Sequence, residues 1–141
     1  MTRDEAVAMI QAFFKKLGVE SRGLNEQNLG GLIDTDRPIE FEYEPASGSL
    51  KCTSVIYKFA NPADPRILQA FKDEERQGKT DTGGGSVDYE PESQGLFLMR
   101  RYKKPVSPEQ FAVELLRLSE ASQLWAREVP ARVAQKVFHP A

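Results

Sequence analysis

The sequence predicts an α+β fold: one antiparallel sheet with helices on one side, in the order α-β-β(-β)-α-β-β-α. Three observations predict it. Two pairs of strand-like runs are each joined by a short turn, which makes hairpins and therefore antiparallel pairing. Three helical patterns stand apart from these pairs, each with its own capping residues. The largest apolar supply lies in one stretch, Thr82 to Val129, where Leu96-Phe97-Leu98-Met99 is followed by Phe111, Leu115, Leu118 and Trp125 at helical spacing. Everything upstream is expected to pack against that stretch. At 141 residues the chain suits one domain spanning 1–141, long enough to bury roughly 70% of its unfolded surface.

The first helix begins at Thr2, where Thr2 and Glu5 form a T-x-x-E capping box. Ile10, Phe13, Phe14 and Leu17 then recur at i, i+3, i+4 and i+7, with Ala6 and Met9 widening the stripe. Lys15 and Lys16 suit the last turn, and Gly18 supplies the stop. From Val19 to Arg37 the chain is polar, with Gly23, Gly30 and Gly31 among scattered Leu24, Leu29, Leu32 and Ile33. A structureless connection of that length is unusual in a compact domain, so a short strand around Leu29 to Ile33 is expected.

Ile39-Glu40-Phe41-Glu42-Tyr43-Glu44 alternates without exception, placing apolar groups on one face and carboxylates on the other. Pro45-Ala46-Ser47-Gly48 is a turn, and Leu50 to Phe59 a second strand rich in β-branched and aromatic residues. Asp64 as N-cap with Pro65 behind it opens a helix that Gly78 closes. Ile67, Leu68 and Phe71 form its apolar patch, and Lys72 to Gln77 is wholly polar. Lys79 to Gly85 reads as a flexible glycine-bearing loop, followed by a second hairpin from Ser86 to Lys103 that turns at Glu90 to Gly95. The last helix starts at Ser107-Pro108-Glu109-Gln110, a second capping box, and Pro130 is expected to kink or end it near Val129. Ala131 to Phe138 then forms a last short turn.

Composition narrows the function classes. A net charge of −2 argues against a nucleic-acid partner. The one cysteine, Cys52, makes an intramolecular disulfide impossible and fits a reducing cytoplasm. One cysteine and one histidine, His139, leave little for a zinc site. No run approaches the roughly 20 apolar residues of a membrane span, and the N-terminus does not read as a signal peptide. The expectation is a soluble cytoplasmic protein without cofactor or metal.

Each candidate chemical motif has a plainer reading. Gly83-Gly84-Gly85 lacks the G-x-x-x-x-G-K-[ST] pattern and precedes a strand instead of a helix, so it is a turn, not a phosphate loop. Glu40, Glu42 and Glu44, about 7 Å apart along a strand, are a solvated face that also discourages strand pairing. Arg100-Arg101-Tyr102-Lys103-Lys104 is the one basic run. It is small for nucleic acid, and a strand end facing the glutamate strand is preferred. Cys52 sits mid-strand as a small hydrophobe. With no nucleophile, base or metal cluster, the chain does not read as an enzyme.

The run Thr82-Gly83-Gly84-Gly85 leading into a strand, the acidic turn Glu90-Pro91-Glu92-Ser93-Gln94-Gly95, the strand Leu96 to Tyr102 and the amphipathic final helix with Trp125 resemble the Tir-chaperone family, the small chaperones of type III secretion. The first half agrees in element order. The resemblance implies a type III secretion chaperone-like fold and a non-catalytic adaptor that, as a homodimer, holds a client polypeptide. It implies a partner-binding groove at Ile10, Phe13, Phe14 and Leu17, and a dimer interface at Ile67, Leu68 and Phe71 with Phe97 and Met99. A same-fold family of bacterial stress regulators is the second choice, and with it a regulatory or small-molecule-binding module without a secretion role.

Overall fold

The computed structural model describes residues 1–32 and 38–139. Its elements run α1 (Arg3–Lys16), β1 (Leu29–Leu32), β2 (Ile39–Glu44), β3 (Ser49–Lys58), α2 (Pro65–Gln77), β4 (Ser86–Glu90), β5 (Gly95–Tyr102) and α3 (Pro108–Phe138). The strands form one sheet in the order β1-β2-β3-β5-β4, every neighbouring pair antiparallel. This is the predicted α+β class and element order. Ile33, at the end of the expected first strand, and Arg37 lie outside the described residues.

Local sequence accounts for the helix ends. Thr2 Oγ1 accepts from the Glu5 N–H at 3.1 Å and Glu5 Oε1 accepts from the Thr2 N–H at 2.8 Å, so the capping box is complete. Asp64 caps α2 through the Arg66 N–H, and Gly78 ends it with φ +68, a left-handed conformation that glycine adopts without steric cost. Ser107 caps α3 through the Gln110 N–H, but the Gln110 amide turns along the helix to Glu114, leaving the second box half made.

The sheet buries its helix-facing side. Ile39, Phe41 and Tyr43 of β2, Leu50, Cys52 and Ile56 of β3, Val87 of β4, and Leu96 and Leu98 of β5 join the core with Ile10, Phe13 and Phe14 of α1, Phe71 of α2, and Phe111, Leu115, Leu118, Trp125 and Val129 of α3. Phe13 and Phe111 meet edge to face with ring centroids 5.8 Å apart, and Phe111 meets Tyr102 the same way at 5.2 Å. A bulge between Val55 and Tyr57 shifts the β3–β5 register. After it, Tyr57 and Phe59 line the apolar groove formed with α2 and α3.

Two expectations are corrected. Pro130 does not end the last helix, which continues to Phe138. Proline removes one N–H and so costs the helix one hydrogen bond. Burial of Val129 and Val133, and ion pairs from Arg132 and Lys136 to Glu74 of α2, hold the segment beyond it. Nor is the segment from Lys79 to Gly85 loose: Thr80 is buried and accepts from Arg132 Nη2 at 2.7 Å, and the Asp81 carbonyl accepts from Trp125 Nε1 at 3.1 Å. Gly83 has φ +63, and a Cβ there would lie 2.4 Å from the Arg117 carbonyl oxygen, so the glycines let this segment lie flat on α3.

Candidate functional site

The two sheet edges differ. On β4, the Val87 N–H donates to Glu75 Oε2 at 3.1 Å and the Val87 carbonyl accepts from Lys72 Nζ. These groups point away from β5, so side chains of α2 occupy that edge at Val87. On β1, Asn25 holds Leu29: its Oδ1 accepts from the Leu29 N–H at 3.0 Å and its N–H donates to the Leu29 carbonyl at 2.7 Å. Arg3, the first residue of α1, fixes this loop through Asn28 Oδ1 at 2.8 Å and the Asn25 carbonyl at 2.9 Å. The next residue whose backbone groups face outward by strand period is Gly31. Beside Leu29 and Gly31 runs a shallow surface lined by Arg3, Ser21, Arg22 and Asn25.

The face of the sheet opposite the helices is concave. Glu40 opposes Gly31 and Thr53, and Glu42 opposes Leu29 and Lys51, so these side chains share that face. With Leu32 and Pro38 they line a groove of about 590 Å³ that also reaches Glu90. Because Glu90 belongs to the far edge strand, the sheet curls around this groove. Lys51 Nζ lies 3.7 Å from Glu42 Oε2. A second, smaller groove of about 140 Å³ lies on the helix side, between Ile67 and Phe71 of α2, Pro130, Val133 and Phe138 of α3, and Tyr57 and Phe59. It is below the ~300 Å³ of ordinary small-molecule sites.

Of the residues expected to bind a partner, Ile10, Phe13 and Phe14 are core, and Leu17, half exposed, stands on the surface. The stripe of α1 faces the sheet and α3 because an apolar stripe beside a sheet gains most by packing on it. Of the residues expected at a dimer contact, Phe71 is buried under α2, and Ile67 and Leu68 are partly exposed. Phe97 and Met99 are on the opposite side of the sheet, since strand alternation sends Leu96 and Leu98 to the core and their neighbours outward. The structure therefore does not bring the two sets together. Lys58 Nζ covers the Phe97 ring at 5.2 Å.

Both arginines of the basic run are paired internally. Arg100 pairs with Glu114 of α3 at 2.8 Å, and Tyr102 donates to the same carboxylate at 3.0 Å. Arg101 pairs across the sheet with Glu44 of the glutamate strand. Cys52 is fully buried, and burial pushes its thiol well above the usual range, with Arg100 offsetting only part. Among the described residues no group of His, Cys, Asp or Glu is arranged to hold a metal ion, and no helix is long and apolar enough to cross a membrane.

Sequence reading missed the clamp at Glu74. This carboxylate is 1% exposed inside α2 and accepts from Arg132 Nε at 2.6 Å and Lys136 Nζ at 2.5 Å. Burial alone would raise its pKa. The hydrogen bonds and charges of Lys136 and Arg132 outweigh burial and hold it below the usual carboxylate value.

The backbone is similar to several solved structures. One is a chain of an ExsC–ExsE complex, with TM-score 0.69 and 12% identity over 91% of this chain and 96% of that one. A second is a chain of the HopA1–SchA chaperone–effector complex, with TM-score 0.65 and 10% identity over 88% and 94%. A third comes from the complex of the Yersinia pestis type III secretion chaperone SycH with a stable fragment of YscM2, with TM-score 0.59 and 15% identity over 85% and 98%. The chain has the type III secretion chaperone-like fold. No protein-family model matches the sequence, and no curated protein matches it by sequence. In this fold the β1 edge at Gly31, the curled face beside it and the clamped α2 are the features with functional potential.

Proposed function

We propose that this chain is a non-catalytic chaperone or adaptor, a single cytoplasmic domain that works as a homodimer and holds an extended segment of a client polypeptide. The observation that carries the reading is the β1 edge within a type III secretion chaperone-like fold: its outward Gly31 is exposed and lies beside a groove, while α2 covers the β4 edge at Val87. An extended client segment would add to β1 through backbone hydrogen bonds and anchor side chains in the adjoining surfaces. Ile10, Phe13 and Phe14 would serve from beneath by fixing α1, and Leu17 would be the one residue of that set to touch the client. The second copy would meet α2 at Ile67 and Leu68, above Phe71, where the smaller apolar groove adjoins. Phe97 and Met99 would contribute only from the other face.

Gly31→Pro tests the edge. Proline is tolerated on an edge strand but removes the outward N–H. Binding of a reduced, carboxymethylated α-lactalbumin chain should be lost while the fold persists by circular dichroism. Unchanged binding would remove β1 from the mechanism. Light scattering across a dilution series tests the dimer: twice the 15.8 kDa chain mass is expected, and Ile67→Asp should halve it. A wild-type monomer throughout would remove the dimer.

A further inference from the structure

We propose that the turn at residues 25–28 is an autoinhibitory cap on the β1 edge, which a client strand displaces to pair with Leu29 as well as Gly31; this rests on the polypeptide-binding reading above and specifies how its site opens. In an antiparallel ladder the two residues of a hydrogen-bonded pair exchange both of their backbone bonds. Asn25 gives Leu29 the same two bonds from within the chain. Its N–H donates to the Leu29 carbonyl at 2.7 Å, and its side-chain Oδ1 stands in for a strand carbonyl, accepting from the Leu29 N–H at 3.0 Å. Leu29 itself is 45% exposed. The cap therefore sits where a client backbone would, one outward position before Gly31. An incoming strand brings an N–H and a carbonyl of its own, so the bonds given up at Leu29 are replaced one for one.

The two sheet edges are capped with different strength. At Val87 the capping side chains belong to α2, whose buried Glu74 is bonded to Arg132 and Lys136 of α3. At Leu29 the cap is a turn in which Asn25, Glu26 and Gln27 are exposed. Arg3, itself exposed, latches it through the Asn25 carbonyl at 2.9 Å and Asn28 Oδ1 at 2.8 Å. Asn28 closes the turn with φ +63, a left-handed conformation uncommon outside glycine. Both ends of the turn are anchored: Leu24 is buried, and the Asn28 carbonyl accepts from the Tyr43 N–H at 2.9 Å. Residues 25–27 can thus swing out while β1 stays in the sheet.

The test measures binding of fluorescein-labelled, reduced and carboxymethylated α-lactalbumin by anisotropy. Asn25→Ala removes the side-chain acceptor and Arg3→Met removes the latch. Each should bind the chain about threefold to tenfold tighter than the wild type, the equivalent of one net hydrogen bond withdrawn from the cap. Asn25→Asp keeps an acceptor in the same place and should bind no tighter than the wild type. Amide exchange followed by NMR gives a second readout: the Leu29 N–H should exchange faster in Asn25→Ala than in the wild type, and added α-lactalbumin should slow it again. Binding to Asn25→Ala and Arg3→Met no tighter than to the wild type, or a Leu29 N–H that the client leaves unprotected, would overturn the cap and leave the polypeptide-binding reading standing. Binding to neither the wild type nor any variant would overturn both.

Discussion

Removing the two sides of the Glu74 clamp should cost different amounts, although the same bonds are lost. In Glu74→Ala the cations are freed. The Arg132 and Lys136 side chains are 33% and 41% exposed, so both can turn into water. What is lost is the net value of two charged hydrogen bonds, discounted for the solvent their donors already see, so about 1–2 kcal/mol. Replacing both Arg132 and Lys136 by alanine instead strands a carboxylate that is 1% exposed. A buried charge left without its partner costs about 3–5 kcal/mol. The pH dependence separates the two cases further. In the wild type the Glu74 pKa lies below its unfolded value. Its contribution is therefore fully present above the usual carboxylate range and lost as pH falls through the lowered value, below about pH 4.5. In the double variant only burial acts, the pKa rises, and the sign reverses: stability at this site recovers as pH falls and the carboxyl takes up its proton. Urea denaturation at pH 7 and pH 4, read through the single buried Trp125, measures both effects. A Glu74→Ala cost equal to or above that of the double variant, or the same pH slope in both, would refute the assignment of Glu74 as the desolvated member.

Three further outcomes are expected. Gly83→Ala should cost about 2–4 kcal/mol, because it adds a left-handed-conformation penalty of about 1 kcal/mol to a Cβ only 2.4 Å from the Arg117 carbonyl oxygen; thermal unfolding with no shift in Tm would contradict the close approach. Pro130→Ala should raise stability by about 1–3 kcal/mol, since it restores an N–H inside an otherwise continuous helix; a lower urea midpoint would show that the proline ring matters to the groove it lines. Leu118→Ala, at a fully buried position, should cost about 2–5 kcal/mol, and a loss below 1 kcal/mol would place Leu118 outside the core.

The element order was readable because each helix carries its own cap and each hairpin its own turn. The alternation of Ile39 to Glu44 gave the correct face for every residue of β2, and Arg101 does meet Glu44 across the sheet. Legibility fell where a side chain's partner is distant in sequence. Glu74 is seven residues after Ile67 and three after Phe71, so its place on the apolar stripe of α2 was available from helical period. Its charge placed it among polar neighbours instead, and its partners lie 58 and 62 residues away. The grouping of Phe97 and Met99 with α2 came from the family resemblance, whereas two-residue alternation along β5 places both on the face away from α2. The glycines at Gly83 to Gly85 signalled conformational freedom, but a sequence does not show that α3 presses against them. The groove on the curled face needed the sheet's curvature, which a bulge between Val55 and Tyr57 marks only after the strands are paired.

The side chains that cover Val87 on the β4 edge also limit how copies of this chain can assemble. An open-ended filament grown strand by strand requires every copy to offer two different free edges, one to give and one to receive. Here Lys72 and Glu75 already occupy the backbone groups of Val87, so a β1 edge arriving from a neighbour meets β4 with only Tyr89 turned outward. Pairing of β1 against β1 instead closes on itself about a twofold axis after two chains. With that outward residue of β4 taken, strand-by-strand self-association has little edge left to grow on, and α2 acts as a terminator at Val87.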